Sequence, residues 1–131
     1  MATRSTIGYT KKNGEEAVAV YCHWDGYPSA MVPAIERFIA LKGVRKFMAE
    51  IRRGVKQGGI RSVSANTIET YGDMRNEKSD GDEFLRTRNE IDLGQYDEYC
   101  YLVDSKTGKI TEFYDHEGQQ SLETMRAMVD E

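Results

Sequence analysis

Asn13-Gly14 lies between two short β-prone runs, Thr6–Thr10 and Ala17–Cys22, and this arrangement constrains the fold more than any other feature of the chain. The pair accepts the positive φ angles of a tight turn, and Val18, Val20 and Tyr21 are side chains suited to a pleated strand. A β-hairpin is therefore predicted at the start. A second one is predicted near the other end. Glu98–Val103 and Lys109–Tyr114 are rich in Tyr, Val, Ile and Phe, and Asp104-Ser-Lys-Thr-Gly108 joins them with glycine at the left-handed position.

Between the hairpins the pattern turns helical. Ser29 is a capping residue and Pro33 suits a first turn, so a helix is expected to begin near Ala30 to Pro33. Ile35, Phe38 and Ile39 form one apolar stripe, and Val44, Phe47, Met48, Ile51 and Val55 form another. On one continuous helix the step from Ile35 to Val44 is a rotation of about 900°, which points the stripes in opposite directions. A break at Lys42-Gly43 resolves this, with a second helix running to about Arg53 and ended by Gly54 and Gly58-Gly59. Residues 56–92 carry few aliphatics, and a polar, mobile loop is expected at 76–83. Ser121 caps a last helix with Leu122, Met125, Met128 and Val129 on one face.

The order is ββαα, an irregular middle, then ββα. It predicts an α+β fold in which two β-hairpins form an antiparallel sheet with helices packed on one face. At 131 residues, with no linker and no repeat, one domain over 1–131 is expected. No apolar run approaches the roughly 20 residues of a membrane span, and Met1–Thr6 shows no secretory pattern. Cys22 and Cys100 lie far apart in apolar runs, as reduced core thiols do. These features point to a cytoplasmic protein without a membrane partner.

Net charge is −4, but residues 1–72 carry eleven Lys/Arg against six Asp/Glu, and residues 73–131 carry seven against sixteen. Lys42 to Arg61 holds seven basic residues and one acid, Glu50. Such a segment attracts phosphates when exposed and uncancelled, and is otherwise a solvated helix face.

Tyr21-Cys-His-Trp-Asp-Gly-Tyr-Pro28 follows directly on the first hairpin. Trp24, the one tryptophan, and Tyr27 offer stacking surfaces. His23 and Asp25 can orient polar groups or form an acid–base pair. The same residues also suit a buried corner, with Trp24 plugging the core, Asp25 capping the next turn and His23 satisfying a carbonyl. Asp115-His116-Glu117 is a second histidine cluster, but the spacing of a metal site is missing, and no catalytic residue, metal or cofactor is assigned. Gly54 to Gly59 lacks the Gly-Lys-Ser/Thr ending of a nucleotide loop.

The opening Ala2-Thr3-Arg4-Ser5-Thr6-Ile7, followed by Val20-Tyr21-Cys22-His23-Trp24-Asp25-Gly26-Tyr27-Pro28, resembles a family of small uncharacterised proteins common in phage and prophage genomes. That family carries Tyr-x-His-Trp-Asp-Gly-Tyr-Pro after its first turn, and the aromatic hairpin at Glu98–Val103 and Ile110–Tyr114 is a fainter likeness. Residues 29–96 depart from it: Met31, Val32 and Pro33 stand where the family has Gly and a Leu-rich helix. The resemblance implies an accessory protein that acts by binding, either blocking a host defence protein or capturing a nucleotide-derived immune signal. In the second case Trp24 or Tyr27 stacks a base, His23 and Asp25 orient it, and Arg4 with members of Arg45, Arg52, Arg53 and Arg61 holds phosphates. A homo-oligomer is expected, because small chains commonly enclose ligands between subunits. Three other readings stand beside it: a decoy that inhibits a host nucleic-acid-binding factor through the acidic half, a small nucleotide hydrolase using His23, Asp25 or His116, and nucleic-acid binding through Lys42–Arg61.

Overall fold

The computed structural model describes residues 3–72, the backbone of 85–87, and residues 98–130. The chain forms β1 (Ser5–Thr10), β2 (Glu16–Cys22), α1 (Pro28–Lys42), α2 (Val44–Lys56), β3 (Ile60–Val63), β4 (Ile68–Thr70), β5 (Leu85–Thr87), β6 (Tyr99–Asp104), β7 (Ile110–Asp115), β8 (Gly118–Gln120) and α3 (Leu122–Val129). The fold is α+β. The loop expected at 76–83 lies outside the described residues.

The strands form one sheet in the order β4-β3-β2-β1-β6-β7-β8, with β5 pairing β2 along Glu16–Val18. β1 and β2 pair antiparallel from Ser5↔Cys22 to Thr10↔Ala17. β6 and β7 likewise pair antiparallel. The join between them corrects the expectation of an antiparallel sheet: β1 and β6 run parallel, from Ser5↔Tyr99 to Thr10↔Asp104, so the sheet is mixed. The long excursion between β2 and β6 returns the chain to the end of the sheet where β1 starts, which is the crossover that parallel pairing needs. β2 and β3 are also parallel, meeting at Cys22↔Ile60 after α1 and α2.

Alternation along the strands divides the sheet into two faces. On one, Ile7, Val20, Tyr101, Val103 and Phe113 pack with Met31, Ile35 and Phe38 of α1, Phe47 and Ile51 of α2, and Met125 of α3. Full burial of such side chains contributes roughly 1.5–3 kcal/mol each. On the other, Ala17, Ala19, Cys100, Leu102 and Tyr114 form a second buried cluster.

The two helical stripes meet the same core because the helix breaks at Gly43, whose φ of 91° is costly for residues with a Cβ. Phe38 and Phe47 then face one another across the break, ring centroids 6.4 Å apart. α1 begins earlier than expected. Tyr27 occupies the cap position without a side-chain hydrogen bond and Pro28 takes the first turn, where a missing N–H costs nothing, so Ser29 is not the cap. α2 runs past Arg53 to Lys56. Gly54 does not end it but is buried inside it, against Ile60 and Val20. Ser121 does cap α3, accepting a hydrogen bond from Thr124 N. Among the described residues, no helix is long and apolar enough to cross a membrane.

Candidate ligand-binding corner

The segment after β2 is held in place by backbone bonds to β3 and to Thr3 ahead of β1, and by a side-chain bond from β6. His23 N donates to Ile60 O and Trp24 N to Arg61 O, each at 3.0 Å, extending the contact with β3. Asp25 then adopts a φ of 55°, a left-handed conformation that costs roughly 1 kcal/mol for a residue with a Cβ. Gly26 N donates to Thr3 O at 2.8 Å, ahead of β1, and Gly26 O accepts a 2.6 Å hydrogen bond from the buried Tyr101 hydroxyl of β6. A Cβ at Gly26 would lie 2.7 Å from Ser5 Cβ and 2.8 Å from Thr3 O, so only glycine fits. Tyr27 O accepts from Ala30 N and Met31 N, which launches α1.

The corner turns its large side chains outward. Trp24 is 40% exposed and Tyr27 41%. Trp24 therefore does not plug the core, whereas Cys22 of β2 and Tyr101 of β6 are fully buried. Cys22 Sγ donates to Trp24 O at 3.8 Å, and burial pushes its thiol up to about 12. Burial and the nearby Glu112 also raise Cys100. Both thiols are protonated at neutral pH and poor nucleophiles.

His23 sits at the centre of a ring cluster. Its centroid is 4.7 Å from Trp24, nearly perpendicular, 6.0 Å from Tyr21 and 6.2 Å from Tyr71. The Tyr21 hydroxyl and His23 Nδ1 are 2.6 Å apart. Tyr21 and His23 are two apart on extended backbone, so their common side was readable from alternation. Tyr71, just beyond β4, was not anticipated, since nothing local ties it to a residue 48 positions earlier.

Of the nine candidate binding residues, Arg4, His23, Trp24, Asp25, Tyr27 and Arg61 gather at this end of the sheet. Arg4 adjoins Thr3, which bonds Gly26, and Arg61 bonds Trp24 through its carbonyl while its guanidinium pairs with Glu69 at 2.6 Å. The other three lie elsewhere. Arg45 lies in the first turn of α2 at the opposite end, next to Val44, which a Cβ on Gly108 would meet at 3.4 Å. Arg52 donates to the Tyr9 hydroxyl at 3.1 Å. Arg53 clamps α2 to β4 through Glu50 Oε2 (2.6 Å), Ile68 O (2.7 Å) and Thr70 Oγ1 (3.2 Å). Burial alone would raise the Glu50 carboxyl, but hydrogen bonds from Arg53 and Lys46 outweigh it and hold it below the usual carboxylate value. His116 is exposed in the β7–β8 turn, 3.8 Å from Glu117. Among the described residues no three His, Cys, Asp or Glu side chains group to hold a metal.

Comparison with protein-family models, curated proteins and solved structures finds no match to this chain.

Proposed function

We propose that this chain is a non-catalytic binding module that captures a nucleotide-derived ligand, of the cyclic nucleotide kind, at the corner formed by Tyr21–Pro28. The observation that carries the reading is the exposure of Trp24 and Tyr27 on a backbone pinned by β3, by Thr3 and by Tyr101 of β6, with His23, Arg4 and Arg61 around it. A pre-set aromatic surface loses little entropy on binding, and stacking a base on such a ring contributes about 1–3 kcal/mol. The resemblance to phage and prophage proteins supplies a setting, in which sequestering a host immune signal is the task. One corner offers a ligand a single wall, so a second copy of the chain is proposed to close over it.

Calorimetry against cyclic dinucleotides, cyclic mononucleotides and ATP tests this, with the ligand recovered afterwards. Stoichiometric binding of an intact ligand, weakened by about 1–3 kcal/mol in Trp24→Ala, is expected. Absence of heat and of any thermal shift across the panel contradicts it, and product formation lost in His23→Ala would instead make the corner hydrolytic.

A second reading rests on the same exposure. Tryptophan and tyrosine are the residue types that anchor protein interfaces, so the corner also suits a host protein as partner. Capture of one defined host protein, abolished by Trp24→Ala with no nucleotide bound, would favour it.

A further inference from the structure

The backbone bonds at His23, Trp24 and Gly26 set the course of the corner, and the Tyr21–His23 pair acts on its side chains. The pair fixes one ring. The 2.6 Å contact commits His23 Nδ1 to the tyrosine hydroxyl whichever partner donates. Trp24, nearly perpendicular at 4.7 Å, and Tyr71, at 6.2 Å, limit the ring's rotation further. With Nδ1 occupied, the remaining polar atom of the imidazole is Nε2, for which the described residues supply no hydrogen-bond partner. It lies on a half-buried side chain directly against the exposed indole.

We propose that Tyr21 is a positioning residue and His23 the direct polar contact of the corner, with Nε2–H donated to a phosphate oxygen of a ligand whose base stacks on Trp24. This deepens, and rests on, the reading of the corner as a nucleotide site. Proton accounting makes the contact pH-dependent. In the imidazolium, Nδ1–H donates to the Tyr21 oxygen and Nε2–H donates to the oxyanion with a full positive charge behind it. In the neutral ring only one nitrogen carries hydrogen, and the charge is gone. Among the described residues, Tyr21 on β2 and Tyr71 beyond β4 carry ionisable groups beside the ring, and Asp25 follows two residues on. Arg61 and Glu69 on the adjoining β3 and β4 are paired to each other at 2.6 Å. Arg4, beside Thr3, adds a cation at the same end of the sheet.

Calorimetry with a cyclic dinucleotide at pH 5.5, 6.5, 7.5 and 8.5 provides the test. The expected result is a dissociation constant that tightens by roughly tenfold from pH 8.5 to 5.5, the gain of a charge-assisted over a neutral hydrogen bond. His23→Gln flattens the profile and His116→Gln leaves it intact, these being the two histidines of the chain. Tyr21→Phe, which keeps the ring and loses the hydroxyl, brings the pH 5.5 affinity most of the way to the pH 8.5 value without changing the thermal unfolding midpoint by more than a few degrees. Binding that is equally tight at all four pH values overturns the dyad and leaves the corner as a nucleotide site. A wild-type profile reproduced unchanged by Tyr21→Phe overturns the positioning role alone. No binding at any pH overturns both. The wild-type profile and the His116→Gln control decide the matter should a corner variant fail to fold.

Discussion

The two ends of the sheet are built in opposite ways. Because β1 and β6 run parallel, both hairpin turns, Lys11–Glu15 and Ser105–Lys109, lie at one end and the aromatic corner lies at the other. The turn end is made of local bonds. Asn13 Oδ1 accepts from Glu15 N and Glu16 N, and Asp104 Oδ1 accepts from Lys106 N and Thr107 N. Between the turns lies an open polar groove of about 320 Å³, lined by Lys11, Lys12, Asn13, Asp104, Lys106 and Glu112 among others. The corner is made of distant ones: Thr3 to Gly26, Trp24 to Arg61 and Gly26 to Tyr101, the last spanning 75 positions. Local bonds can form as soon as the turn closes, and each can be lost singly. The corner exists only once the whole sheet is assembled. Its surface is therefore stiff, and a change beneath it spreads.

This contrast sets the order of expected effects. Gly26→Ala forces a Cβ to within 2.7 Å of Ser5 and 2.8 Å of Thr3 O. Overpacking of that kind costs about 1–3 kcal/mol, to which broken bonds to Thr3 and Tyr101 add, and chemical denaturation should show a loss at the upper end. Arg53→Ala leaves the buried Glu50 with Lys46 alone and frees α2 from β4, for a loss of about 2 kcal/mol in the same measurement. Tyr101→Phe removes the hydrogen bond to Gly26 O and should cost about 1 kcal/mol. Lys12→Ala at the turn end should fall within about 0.5 kcal/mol of the unsubstituted chain. If Lys12→Ala and Gly26→Ala cost the same, the contrast between the ends is false.

Acid provides a further handle. The Glu50 carboxyl is held below its usual value in the fold, so the stability it contributes is present above its unfolded value of about 4.3 and is lost as pH falls through the lower, folded one. Denaturation between pH 5 and pH 2 should show that loss, and Glu50→Gln should reduce its slope.

The same contrast explains how much was legible. The hairpin turns and the break at Gly43 could be read because their causes are local: an Asn-Gly pair, a glycine after Asp104, and two stripes out of phase. The parallel join of β1 and β6 could not, because no residue in Ser5–Thr10 encodes the direction of a neighbour more than ninety positions away. The corner was recognisable by residue type, but exposure was not. Tryptophan suits a core plug and a stacking surface equally, and residue type alone does not choose between them. Arg53 and Arg52 looked like ligand contacts because a charge count does not reveal which cations are consumed by Glu50, Thr70 and the Tyr9 hydroxyl. Tyr71 carries no local signal and enters the corner only through the β3–β4 pairing.

Which end of the sheet meets a ligand is answered directly by backbone amide NMR shifts of the full chain titrated with a cyclic dinucleotide. The prediction is that saturable shifts concentrate at His23–Tyr27, Arg61 and Tyr71, while Lys11–Gly14 and Asp104–Thr107 stay still. Shifts confined to the groove between the turns, with the corner unmoved, would contradict it.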